Sequence, residues 1–158
     1  MPGKLKEEIH QQKPFVSAAE EAYLNLVRTA DALTRDLDRI LQPHGLTSTQ
    51  YNVLRILRGA GEAGATCSGV SDRLLAYDPD VTRLLDRLEK AALVRRERST
   101  KDRRVVMAFI TDVGLQILTK LDQPLEALLE RQFRPLKKER IAQLIEDLEQ
   151  LRSGVEPS

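Results

Sequence analysis

Little in this chain would suit a cross-linked or membrane-bound scaffold. Cys67 is its single cysteine among 158 residues, which excludes an intrachain disulfide and fits a reducing compartment. Tryptophan is absent and there are only three tyrosines and three phenylalanines, so a Leu- and Ala-rich, helical interior is expected. No apolar run approaches the roughly 18 residues of a membrane span. The amino-terminal MPGKLKEEIHQQKP has no apolar stretch of a secretory signal. The expected location is the cytoplasm, with no membrane partner. The two histidines, His10 and His44, lie near neither cysteine nor paired carboxylates at ligand spacing, so no metal is expected. Neither has a nearby nucleophile, and the run GAGEAG at 59–64 lacks the lysine of a phosphate-binding loop. Neither an enzyme nor a resident cofactor is expected.

The net charge of +1 conceals a strong asymmetry. Residues 83–104 hold nine Lys/Arg against four Asp/Glu, a net +5, whereas 1–43, 44–82 and 105–158 carry −1, −1 and −2. A near-neutral chain with one cationic stretch has the electrostatic footprint of a nucleic-acid binder, although a solvated basic surface gives the same count. Within that stretch, two β-forming segments, Leu93 to Arg98 and Val105 to Ile110, flank a basic tip, Thr100-Lys101-Asp102-Arg103-Arg104.

Apolar spacing supplies the remaining elements. Residues 1–15 read as a loose polar tail. A long helix follows over 16–43, with Leu26, Ala30, Leu33, Leu37, Ile40 and Leu41 at three- and four-residue intervals. Thr47 or Ser48 starts a second helix carrying Tyr51, Val53, Leu54 and Leu57. Thr66 starts a short third one with Val70, Leu74 and Leu75 inward. Val81 to Ala92 is amphipathic, with Asp78 as the expected cap and Pro79 at the first helical position. It buries Val81, Leu84, Leu85 and Leu88 and exposes Thr82, Arg83 and Lys90, with Arg87 on the flank. Thr111 or Asp112 opens a helix that contains Pro124, Pro135 breaks it, and a last helix carries Ile141, Leu144, Ile145, Leu148 and Leu151.

The expected fold is mainly α with a small β-hairpin: a winged helix-turn-helix over 44–112, dimerisation helices over 16–43 and 113–152, and a tail at 153–158. Two long helices that are apolar over a broad face favour burial against a second copy.

Three motifs in order carry a resemblance. His44-Gly45-Leu46-Thr47-Ser48-Thr49-Gln50-Tyr51-Asn52-Val53-Leu54 resembles the opening of MarR-family (multiple antibiotic resistance) regulators. Val81 to Lys90 is similar to their recognition helix. Asp102-Arg103-Arg104, followed by Ile110-Thr111-Asp112-Val113-Gly114, resembles their wing signature. The resemblance implies a homodimeric winged-helix transcription regulator, often a repressor released by a small molecule or by oxidation. It places residues 79–91 in the major groove and Arg104 in the minor groove, with Asp102 holding an arginine in position. The chain departs from the pattern at Asp78-Pro79-Asp80, where Ser/Thr or basic residues are common, and at Leu75 and Ala92, where glycine is frequent.

The candidate DNA contacts are therefore Thr82, Arg83, Arg87, Lys101, Arg103 and Arg104. Arg83 could read a guanine or touch a phosphate, while Arg87 and Lys101 suit phosphates. A pseudo-palindromic operator is implied, with half-sites about one helical turn apart. A phenolic or aromatic effector is expected between the two lobes, beside His44, Tyr51 and Arg55. Cys67 is the redox candidate, but an inert, partly buried thiol is the favoured reading. The competing function is a winged-helix protein-interaction module whose acidic 78–80 stretch has weakened or abolished DNA binding.

Overall fold

A computed structural model describes residues 3–155. The elements in chain order are α1 (Leu5–Glu8), α2 (Ala18–Leu41), α3 (Ser48–Ala60), β1 (Ala65–Thr66), α4 (Cys67–Ser71), α5 (Val81–Lys90), β2 (Val94–Arg98), β3 (Val106–Ile110), α6 (Asp112–Phe133) and α7 (Lys138–Ser153). The three strands form one antiparallel sheet in the order β1-β3-β2.

Side-chain caps fix most helix starts. Ser17 accepts from the Glu20 amide at α2. Thr47 and Gln50 form a reciprocal capping box at α3, and Thr66 and Thr111 accept from the amides of Gly69 and Gly114. One continuous core joins α3, α4, α5, the sheet and α6. Val53, Leu54, Leu57, Val70, Leu85, Leu88, Val94, Ala108, Leu118 and Leu121 are all buried in it. Each of these Val and Leu side chains contributes roughly 1.5–3 kcal/mol of burial. Arg58 adds a two-oxygen ion pair to Asp122, tying α3 to α6 at 2.9 and 3.0 Å.

Gly114 lets α6 begin against the base of the hairpin. A Cβ there would sit 2.6 Å from the Leu93 carbonyl oxygen and 2.7 Å from Ile110 Cγ1. In the same corner the Thr111 hydroxyl donates to the Ala92 carbonyl at 2.7 Å. The Ile110-to-Gly114 motif is thus a packing joint that sets the hairpin on the core.

Several expectations change. The amino-terminal segment is not a loose tail: α1 packs back on α2, with Leu5 buried and Glu8 paired to Arg28 at 3.0 Å. Four residues with one apolar anchor carry no periodic signal. Leu75 is 84% exposed rather than packed in the core, because the helical path ends at Ser71. β1 is only two residues long and was not legible in the sequence. Asp78 does not cap α5. Its carboxylate accepts from the Asp80 amide at 2.8 Å, and Asp80 is the cap, accepting from the Arg83 amide at 3.0 Å. Pro79 therefore lies in the turn before the helix rather than at its first position.

Candidate nucleic-acid interface

α5 is firmly seated on its apolar side. Val81, Leu84, Leu85 and Leu88 are buried, which leaves Thr82, Arg83, Arg87 and Lys90 exposed. The helix ends in a Schellman arrangement: the Leu93 amide donates to the Leu88 carbonyl and the Ala92 amide to the Glu89 carbonyl, with Ala92 at φ +60°. The chain thus turns sharply from α5 into β2.

The hairpin pairs Val94 with Ile110 and Arg98 with Val106, and its loop spans residues 99–105. This loop is held by its own polar groups. The Ser99 amide donates to the Val105 carbonyl at 2.8 Å, and the Val105 amide to the Asp102 carbonyl at 3.0 Å. The Ser99 hydroxyl oxygen accepts from the Lys101 amide at 3.2 Å. Arg98 donates to the Arg103 carbonyl at 3.0 Å. The Asp102 carboxylate holds an arginine through its backbone, accepting the amide of Arg104 at 3.0 Å. It shapes the chain beneath Arg104 and leaves that side chain free to extend. Lys101, Arg103 and Arg104 are exposed.

Ion pairing sorts the nine cations of 83–104. Arg95 pairs with Glu97 and lies over the Phe109 ring, 4.3 Å from its centre. Arg96 bridges Asp86 and Glu89 of α5. Its hydrogen bond holds the Glu89 carboxyl below the usual carboxylate range, and the pairing raises Arg96 in turn. Arg83, Arg87, Lys90, Arg98, Lys101, Arg103 and Arg104 make no ion pair among the described residues. Excess positive charge therefore projects from α5 and the wing. The carboxylates of Asp78 and Asp80 are both engaged with backbone amides, which turns the acidic start of α5 into a capping device.

Cys67 is half-buried at the start of α4, with Sγ 3.5 Å from the Thr82 hydroxyl. Thr82, expected to face DNA, thus also packs towards α4.

A cavity of about 460 Å³ lies between α2, α3, α6 and the segment after α4. Tyr51 and Arg55, one helical turn apart on α3, line it with Leu37, Asn52, Leu125 and Phe133. The Arg55 guanidinium lies 5.9 Å from the Tyr51 ring centre, and burial pushes the Tyr51 phenol up. His44 does not line this cavity. It sits, exposed, in the 3-10 turn Gln42–His44, before the Thr47 cap rather than on the inner face of α3. Leu75 and Ala76 do line it, and the Leu75 amide donates to Asn52 Oδ1 at 2.9 Å. Sequence reasoning missed Asn52 and the α6 lining because they meet only in the fold.

A basic wing beside an exposed helix on a helix-turn-helix core defines a winged-helix DNA-binding protein. The MarR family model matches residues 44–105. The chain is 31% identical over 131 residues to the uncharacterized HTH-type transcriptional regulator YkoM of Bacillus subtilis (strain 168), covering 82% of this chain and 83% of that one. It is 39% identical to a MarR transcription factor of Planctomyces limnophilus, with a TM-score of 0.65 over 86% of this chain and 98% of that one. Sco3205, a MarR family regulator of Streptomyces coelicolor solved in complex with DNA, shares the fold at a TM-score of 0.81 and 24% identity, with 94% of each chain covered. The chain belongs to the MarR family of transcription regulators. No helix among the described residues is long and apolar enough to cross a membrane.

Proposed function

We propose that the chain acts in the cytoplasm as a homodimeric repressor, released from a pseudo-palindromic operator by a small organic effector. The observation that carries this reading is the unpaired positive charge on α5 and the wing, beside acids already engaged as caps or in ion pairs. α5 enters the major groove, where Arg83 meets a base edge and Arg87 a phosphate. Arg104, with Arg103 beside it, enters the minor groove and favours A·T-rich sequence, where that groove is narrow. Lys101 contacts the backbone.

Dimerisation is supported by apolar surface on the long helices. α7 buries none of its 16 residues, and Ile145 and Leu151 are exposed. Tyr23 and Val27 of α2 are exposed as well. The effector reading is supported by the cavity, whose wall combines six leucines, Ala76 and Phe133 with Tyr51, Arg55 and the polar Thr34, Ser48, Thr49, Asn52 and Gln132. This suits an aromatic or phenolic molecule with one anionic group. Its wall includes Leu75 and Ala76, which lead directly into the turn that starts α5. A ligand preferring one position of that segment would change the spacing of the two recognition helices.

The test is selection of bound duplexes from random DNA by the purified full chain. Recovery of an inverted repeat with half-sites about one helical turn apart is expected. Its affinity should fall steeply with salt, each phosphate contact adding about 0.9 to the log–log slope. Recovery of no preferred sequence, with salt-independent binding, would favour the protein-interaction reading.

A further inference from the structure

Side-chain polar contacts join α5 to the wing at one place among the described residues. Arg96 lies in the middle of β2, opposite Ala108 of β3. At that level Ala108 is buried in the core, and towards the base so is Val94. Towards the tip, Arg98 is exposed and Val106 is 42% exposed. Hydrophobic packing therefore holds the lower hairpin and gives out near the level of Arg96. β1 backs β3 only as far as Met107, paired with Thr66, and β2 has no second strand beside it. The Arg98–Val106 pair and the loop form a two-stranded ribbon, which is held only weakly by itself.

Arg96 supplies the missing hold. One guanidinium nitrogen, Nη2, donates to Asp86 Oδ1 and to Glu89 Oε1, the latter at 3.0 Å. Asp86 and Glu89 are three residues apart and so share a face of α5. The Arg96 side chain is only 23% exposed, which limits solvent screening of the pair. An isolated surface ion pair contributes about 0–1 kcal/mol, but a half-buried cation shared by two carboxylates restricts orientation as well as adding attraction.

We infer that Arg96 is a positioning residue for DNA recognition: it fixes the lean of the wing against α5, so that Arg104 and the recognition helix reach their grooves together. The inference rests on the DNA-binding reading above. It concerns a residue outside the expected contacts, and it assigns the two carboxylates of α5 a role other than meeting DNA.

A double-mutant cycle tests it, using a duplex selected from random DNA by the native chain and affinity read by fluorescence anisotropy at fixed salt. In the native background Arg104→Ala should weaken binding about tenfold, and after Arg96→Ala the same change should cost less than about threefold. Arg83→Ala, on the firmly seated α5, should cost the same in both backgrounds. The variant carrying Asp86→Ala and Glu89→Ala leaves Arg96 without either side-chain acceptor on α5, and it should also shrink the Arg104 effect. Because that variant removes negative charge from α5, it separates positioning from mere neutralisation: if neutralisation were the whole role, the Arg104 effect would persist undiminished. Thermal melting checks that each variant folds, and if Arg96→Ala does not, the double-alanine variant of α5 decides. An equal Arg104 cost in every folded background overturns the positioning role. Failure of the native chain to select any duplex overturns the DNA reading itself, and this assignment with it.

Discussion

Ala92 shows how one residue can mark a joint. It ends α5 with φ at +60°, a conformation that costs an L-residue about 1–2 kcal/mol. At the end of the 3-10 turn Gln42–His44, Gly45 takes φ +70° at no such cost. The resemblance flagged position 92 as one where glycine is frequent, and the backbone supplies the reason. Ala92 is exposed, so no packing is lost by removing its methyl group. Ala92→Gly should therefore stabilise the chain by about 0.5–1 kcal/mol after the extra chain entropy of glycine is subtracted. That corresponds to a Tm increase of about 1–4 °C, measurable by calorimetry. A lower Tm would mean that the turn is not strained. Other residue-level readings depended on what only the fold brings together. Thr82 meets Cys67 across 15 residues of sequence, and Asp102 holds Arg104 through its backbone amide.

At the scale of elements, the helices were legible because their signals are local. Apolar residues at three- and four-residue spacing gave α2, α3, α5, α6 and α7, and the threonine caps at positions 47, 66 and 111 act as read. The start of α5 was misread because Asp78 and Asp80 are chemically equivalent candidates. Pro79 between them made the first look natural, yet the chain uses Asp78 to shape the turn and Asp80 to cap the helix. This division leads to a test. Asn caps a helix about as well as Asp, so Asp80→Asn should change stability by no more than about 0.5 kcal/mol. It also removes a negative charge beside DNA, and affinity should rise on the order of threefold at low salt. Weaker binding by a normally folded Asp80→Asn chain would instead show that this carboxylate reads DNA, for example a cytosine amine. The strand β1 escaped notice because two residues have no usable periodicity. Leu75 was placed inward by extending the α4 pattern past the point where the helix stops.

Across the whole molecule, the sequence was weakest wherever separate elements converge. Tyr51 and Arg55 face the cavity because they lie one turn apart on α3, whereas His44, near in sequence, precedes the cap and stays outside. The lining from α2 and α6 could not be paired with them without the fold. The surface of the long helices gives a prediction at the same scale. Ile145 and Leu151 are exposed on a helix with no buried residue, so replacing both with Asp costs the isolated chain little. Sedimentation velocity should show a dimer for the native protein and monomer for the variant with unchanged helicity. A variant that remains dimeric would remove α7 from the interface.

In the proposed function the cationic wing grips DNA through Arg104 while α5 reads the adjoining groove. The most direct measurement is a titration of the selected operator with the native chain and with Arg104→Ala at physiological salt. Loss of about tenfold or more in affinity is expected, with the salt slope reduced if the contact displaces counterions. Equal affinity and equal slope for the two proteins would contradict it.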